Sequence, residues 1–409
     1  MQELWWFLPE WPLALGQFVL FGALLIAGLL GGELAQRLAG LPRITGYVVV
    51  GIAAGPEALG VLQTPLSGEA RALIDLALGL VVFELGHRLD IEWLRKNPWL
   101  ALAAVGESVG AFFAIYAAML YFDYSPLLAS CAAAVGTATS PAVVMLVAHE
   151  LRASGQITER TILFTAVNCA FAFIALTLLL PFLHLEYETD VRTALLHPIY
   201  LLGGALMLGF AACQLMLVFA GWLGKREDRQ FILLIALVVL VVGLARATGL
   251  TVVVALLFFG ILARNLDYDH VLLPLRLGYA GQLLFVLLFV LTGASLVFYG
   301  LQAAWLVVAI YVAVRFLGKA LAILVFSKLS GLRAGGAGLT AVALLPMSGV
   351  AVIMVHDTEA LFPAFGAELA AVVLSAVALL ELVGPLATQF ALRKAGEAHP
   401  EPEGWRPPV

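Results

Sequence analysis

Runs of about twenty apolar residues, the length that carries a helix across about 30 Å of hydrocarbon, recur from Leu13 to Leu392 with only short polar connections between them. In lipid every backbone polar group must be satisfied within the protein, so chains like this one cross as helices. The expected fold is an all-α polytopic membrane protein. Composition agrees: 63% of the 409 residues are hydrophobic, 12% are charged, and the mean hydropathy is +1.03, well outside the range of a soluble globular domain.

Thirteen spans are expected, at 13–38, 43–62, 69–89, 98–121, 126–150, 158–183, 195–223, 229–248, 250–265, 276–299, 302–328, 335–356 and 367–392. An odd number puts the termini on opposite sides, and the positive-inside rule tests that arrangement. With the N-terminus outside, only Arg71, Arg192 and Arg246 of the 22 basic residues face outward, and Arg315 and Lys319 fall within the membrane. All the others lie on the cytoplasmic side. One span too many or too few would scramble that alternation. The expected location is the inner (plasma) membrane.

Other classes are less well supported. The segment before the first span carries Glu3 and Glu10 and no basic n-region, so that span is expected to be retained rather than cleaved. Cys131, Cys169 and Cys213 lie within spans and show no CxxC spacing, which suggests neither a disulfide framework nor a zinc site. The seven histidines sit at span ends or in connections, so no nucleophile and base of a membrane enzyme is in evidence. No cofactor and no nucleic-acid partner is expected. The tail at 393–409 is polar and rich in proline.

Ionisable groups near mid-bilayer are costly unless paired or hydrated, which makes them functional candidates. Glu107 lies in the fourth span, Arg315 and Lys319 in the eleventh, and Glu381 in the thirteenth. Arg315 and Lys319 are four residues apart and share a helix face. Two readings stand: a buried ion pair that holds helices together, with Arg315 bonded to either glutamate, or a carboxylate that exchanges a proton or cation while a basic residue competes for it. Asp75, Glu84 and Glu33 are read as carboxylates at helix interfaces or caps.

Two spans are interrupted at mid-depth. The fifth carries Thr137-Ala138-Thr139-Ser140-Pro141 and the twelfth Pro346-Met347-Ser348-Gly349. Proline removes a backbone donor, and such breaks persist only where protein or a water-filled cavity satisfies the freed groups. If spans 1–6 and 8–13 are repeats joined by the seventh, the two broken spans correspond. The odd offset then inverts the second repeat, as in secondary transporters whose discontinuous helices meet at mid-membrane.

Several segments resemble the monovalent cation:proton antiporter superfamily, particularly its Kef-like and sodium/proton exchanger branches. They are Leu41-Pro42-Arg43-Ile44-Thr45-Gly46-Tyr47 continuing to Gly51 and Gly55-Pro56; Phe83-Glu84-Leu85-Gly86 with Asp90; Thr139-Ser140-Pro141; Leu288-Phe289 with Gly293-Ala294; and Glu381-Leu382-Val383-Gly384-Pro385. The resemblance implies a homodimer in which a core domain moves against a dimerisation scaffold. The scaffold would be 1–97 and 224–300, the core 98–183 and 301–392, and 184–223 a linker helix. It also implies that a monovalent cation, sodium or potassium, is exchanged for protons, with the lipid bilayer as the medium, and that Arg315 or Lys319 matches the family's basic residue in the eleventh helix.

One departure bears on the cargo. The family's sixth helix carries an ion-binding aspartate, often after an asparagine or a second aspartate, whereas the matching residues here are Asn168-Cys169. A neutral thiol is a poor ligand for a hard cation. Three readings follow: cation:proton exchange, with Glu107 or Glu381 in the aspartate's role and Asn168, Thr137, Thr139, Ser140 and Ser348 around the site; transport of an anionic or zwitterionic solute at Arg315 and Lys319; or a transport-inactive scaffold or sensor.

Overall fold

The computed structural model describes residues 17–56, 58–62, 68–187, 191–268, 270–273, 278–296, 301–347 and 349–399. Among them there is no strand, only helices and their connections. In chain order the helices are α1 (Gln17–Ala39), α2 (Arg43–Ala54), α3 (Gly68–His87), α4 (Ile91–Lys96), α5 (Pro98–Tyr121), α6 (Pro126–Thr137), α7 (Pro141–Glu150), α8 (Gln156–Tyr187), α9 (Val191–Leu223), α10 (Glu227–Thr248), α11 (Val252–Asn265), α12 (Gly278–Ala294), α13 (Leu301–Ser327), α14 (Ala334–Ala343), α15 (Gly349–Leu361) and α16 (Pro363–Lys394). Among the described residues, each expected span overlaps one helix or, for the two interrupted spans, a pair of half-helices. By length and apolarity, eight segments among the described residues can cross a membrane.

One span is shorter than its hydropathy suggests. The second was expected to run to residue 62, but α2 stops at Ala54, with Gly55 in an extended conformation (φ −68°, ψ 171°). Pro56 is the cause, because a residue that precedes proline is pushed out of the α region. The short helix α4 lies between two spans, its first turn capped by Asp90, whose carboxylate accepts from the Trp93 N–H at 3.0 Å. At the end of α10 the chain reverses at Gly249 with φ +68°, a left-handed cap that glycine adopts without strain.

The helices pack in two sets. The half-helices α6, α7, α14 and α15 lie among α5, α8, α13 and α16, while α1, α2, α3, α10, α11 and α12 pack on one another. Helix α9 touches both, against α8 on one side and α10 and α11 on the other. Within the first set, α5 and α13 cross where two glycines meet: a Cβ on Gly318 would stand 2.6 Å from the Gly110 carbonyl oxygen, and one on Gly110 would stand 2.9 Å from that of Gly318. Lipid provides little hydrophobic drive between helices, so close backbone approach through small residues is what holds such a crossing.

Carboxylates outside this crossing behave as interface and terminal groups. Asp75 on α3 pairs with Arg246 on α10, Glu33 with Arg37 and Arg43, and Glu84 with Arg88 and His149.

Candidate functional site

The site is built where the two helix breaks cross. Helix α6 ends at Thr137, residues 138–140 are extended, and α7 restarts at Pro141 with Ser140 as its N-cap. Proline suits the first helical position because its missing donor has no acceptor there, and Ser140 Oγ accepts from the Val143 N–H at 3.3 Å. On the other strand of the crossing, α14 ends at Ala343 and α15 begins at Gly349. The breaks are bonded directly: the Ser140 N–H donates to the Pro346 carbonyl at 3.0 Å, and Thr139 Oγ1 donates to that of Leu344 at 3.4 Å.

A helix that stops in lipid leaves its last carbonyls without donors. Here side chains supply them one after another. Arg315 Nε donates to the Gly136 oxygen at 2.7 Å, Lys319 Nζ to that of Thr137 at 2.9 Å, Arg315 Nη2 to that of Ala138 at 2.7 Å, and Cys169 Sγ to that of Thr139 at 3.3 Å. Arg315 also reaches the second break, with Nη1 at 2.8 Å from the Leu345 oxygen and Nη2 at 3.4 Å from that of Pro346. The carbonyl ends of α6 and α14 carry partial negative charge, and the guanidinium lies against both.

The sequence leaves open a buried ion pair of Arg315 with a glutamate or a carboxylate that exchanges a proton or cation; among the described contacts it is Lys319 that pairs with Glu107. Lys319 Nζ lies 2.5 Å from Glu107 Oε1, with the two side chains 1% and 0% exposed. The reason is geometric: the planar fork of arginine matches several carbonyls at once, and the ammonium serves as a compact point charge. Lys319 Nζ also donates to Thr139 Oγ1 at 3.2 Å. Asn168 closes the network, donating to Glu107 Oε1 at 3.3 Å and to Thr139 Oγ1 at 3.0 Å. The second carboxylate oxygen, Glu107 Oε2, is buried without a hydrogen-bond partner among the described residues.

The crossing thus gathers Glu107, Thr137, Thr139, Ser140, Asn168, Cys169, Arg315 and Lys319. Glu381 is buried on α16, one turn before Gly384, which packs so closely on Pro346 that a Cβ there would stand 2.7 Å from the proline Cα. Ser348 lies outside the described residues. Two participants were not singled out from sequence. Ser108 donates to Asn168 Oδ1 at 2.6 Å and so orients the amide; its position next to Glu107 is the only signal it carries. Tyr311 donates to the Ala132 carbonyl at 2.8 Å, and its spacing of four from Arg315 and eight from Lys319 puts all three on one face.

Two broken helices that cross inside an all-helical membrane bundle, with charged side chains on their half-helix ends, define the fold of a secondary transporter. The chain belongs to the sodium/hydrogen exchanger family, whose transmembrane model matches residues 21–394. Members of this family are transporters and not enzymes. Two solved structures of the sodium proton antiporter MjNhaP1 from Methanocaldococcus jannaschii share the fold. One, determined at pH 8, has a TM-score of 0.64 at 15% identity and covers 92% of this chain and 95% of that one. The other, an electron-microscopy map, has a TM-score of 0.69 at 16% identity and covers 94% and 99%. No curated protein matches the chain in sequence.

Proposed function

We propose that the protein exchanges a monovalent cation, sodium or potassium, for protons, and that Glu107 on α5 has taken over the work of the aspartate that Cys169 replaces. The observation that carries this reading is the buried Glu107–Lys319 pair at the crossing of the breaks. Cation binding at Glu107 would separate the pair, and Lys319, left buried beside a second positive charge, would release its proton. Reversal of these steps returns the ion and reloads the proton. One amine and one carboxylate give one proton for each cation.

The oxygens around the pair suit a small hard cation. Glu107 Oε2 has unused accepting capacity, and the Thr137 carbonyl and Thr139 hydroxyl already face the ammonium that the ion would displace. Cys169 fits this relocation: its thiol donates to the Thr139 carbonyl, where an ionised aspartate would set acceptor against acceptor unless a cation lay between them. The anion reading rested on uncompensated charge at Arg315 and Lys319, and both cations are occupied by carbonyls or Glu107.

The two packing sets support movement of the first set, 98–183 and 301–392, against a scaffold of 1–97 and 224–300; that the scaffold is dimeric is taken from the family resemblance, and that the N-terminus is outside and the C-terminus cytoplasmic from the distribution of basic residues. The test is a pH-dye assay in proteoliposomes of wild type, Glu107→Gln and Glu381→Gln. Wild type should show sodium- or potassium-driven proton movement and Glu107→Gln should abolish it. Absence of any such movement in wild type overturns the exchange, and an active Glu107→Gln with an inactive Glu381→Gln moves the carrier to α16.

A further inference from the structure

At the basic end of α16 a cavity of about 550 Å³ opens between that helix and the α1–α2 connection, lined by Leu41, Leu386, Gln389, Phe390, Arg393 and Lys394. Its chemistry is divided along the helix. Leu41, Leu386 and Phe390 form an apolar wall, and Arg393 and Lys394 form a cationic rim one turn further on; from Leu386 to Lys394 the helix advances about 12 Å. The Phe390 side chain is 54% exposed, and Lys394 Nζ sits 5.2 Å from its ring centroid. Gln389 Nε2 donates to the Gly40 carbonyl at 3.2 Å and ties α16 to the turn after α1.

Among the described residues no carboxylate pairs with Arg393 or Lys394. Their nearest acidic neighbour in sequence, Glu397, is turned away and accepts from the Ile157 and Thr158 N–H groups at 2.8 and 2.7 Å. Among the described residues, two cations are thus left without a carboxylate partner at the end of a membrane helix, directly beside apolar surface.

We propose that this cavity binds an anionic phospholipid, its phosphate against Arg393 and Lys394 and an acyl chain along Phe390, Leu386 and Leu41. An anionic amphiphile answers both halves of the cavity at once. A soluble phosphate leaves the apolar wall bare, and a zwitterionic lipid brings a cation of its own to the rim. The bound lipid bridges α16 and the α1–α2 connection, which belong to different packing sets.

The experiment is lipid titration of the purified full-length protein in neutral detergent, read by native mass spectrometry and by thermal unfolding. The probes are phosphatidylglycerol, phosphatidylcholine and glycerol 3-phosphate. Phosphatidylglycerol should be retained on the order of tenfold more tightly than phosphatidylcholine, raise the unfolding temperature, and lose that advantage in R393Q/K394Q. Phe390→Ala, which keeps both charges, should weaken retention of both lipids. Equal retention of the two lipids by wild type, or an undiminished preference in R393Q/K394Q, overturns the proposal. Stabilisation by glycerol 3-phosphate equal to that by phosphatidylglycerol overturns it in favour of a soluble phosphate. Because the readout is binding, the outcome is independent of whether the protein exchanges ions.

Discussion

At the scale of single residues, the Glu107–Lys319 pair is a weak source of stability and a strong constraint. Two charges taken out of water recover in mutual attraction about what they lose in hydration, yet removal of one partner strands the other. Lys319→Ala should therefore cost about 3–5 kcal/mol, seen as a lower unfolding temperature in detergent, whereas the double change Glu107→Gln with Lys319→Met should recover most of it and still fail to exchange ions. A double variant no more stable than Lys319→Ala would mean that the pair is not the stranded-charge problem described here. Cys169 offers a second test. Serine keeps a donor for the Thr139 carbonyl, so Cys169→Ser should exchange within about twofold of wild type, on the view that the thiol serves as a neutral hydrogen-bond donor worth about 1 kcal/mol. Cys169→Asp places a carboxylate against that carbonyl and should make the unfolding temperature rise with added sodium more steeply than in wild type. An unchanged sodium response in Cys169→Asp would sink the claim that the thiol occupies a former cation position.

At the scale of elements, the two breaks are held by a shared arginine. The same interval of sequence separates Gly110 from Gly318 and Ala138 from Pro346, and Arg315 Nη2 bonds to the last two of these carbonyls. The guanidinium thus clasps one carbonyl of each break, at points separated in sequence by the same interval as the two glycines. Arg315→Ala orphans buried carbonyls at the ends of α6 and α14, each worth about 1–3 kcal/mol, and should lower expression and unfolding temperature more than any other single change at the crossing. Gly318→Val should part α5 from α13, because the added Cβ meets backbone and not a side chain that can turn aside; a loss of about 1–3 kcal/mol is expected, checked by thermal unfolding. Much of this level was readable in the chain. Polar residues and proline at mid-depth exposed both breaks, and the rarity of charge within apolar runs exposed Glu107, Arg315, Lys319 and Glu381. Pairing was not readable. Spacing places Arg315 and Lys319 on one face, but which of them meets a carboxylate depends on the depth and angle of the α5–α13 crossing, and that follows from the glycine contact. The early end of α2 was readable in principle, since Gly55-Pro56 stops a helix whatever its hydropathy.

At the scale of the whole molecule, the contacts between the two packing sets decide whether one can slide against the other. Helix α7 meets α2 and α3, and its polar contacts to them are modest. Arg88 Nη2 lies 3.2 Å from His149 Nε2 and 3.3 Å from Glu84 Oε1, and the Arg43 N–H donates to Glu150 Oε2 at 3.3 Å. Arg88 and His149 are 36% and 42% exposed, so water can replace their mutual contact if the elements part, while the buried Glu84 keeps Arg88, four residues on in its own segment, as its ion-pair partner. Within the first set the contacts are of another kind: Arg160 on α8 bonds to Ser330 beyond α13 through both its Nη atoms, which ties the elements that should travel together. A short bifunctional thiol reagent distinguishes the two. Linking Arg88→Cys to His149→Cys, across the sets, should abolish cation-driven proton movement in proteoliposomes, and linking Arg160→Cys to Ser330→Cys, within one set, should leave it within about twofold, because only the first joins elements expected to separate. The native Cys131, Cys169 and Cys213 are buried, which directs the reagent to the introduced pairs. Full activity in the Arg88–His149 cross-linked protein would show that exchange needs no displacement of α7 against α3, and would confine the motion to the broken helices themselves.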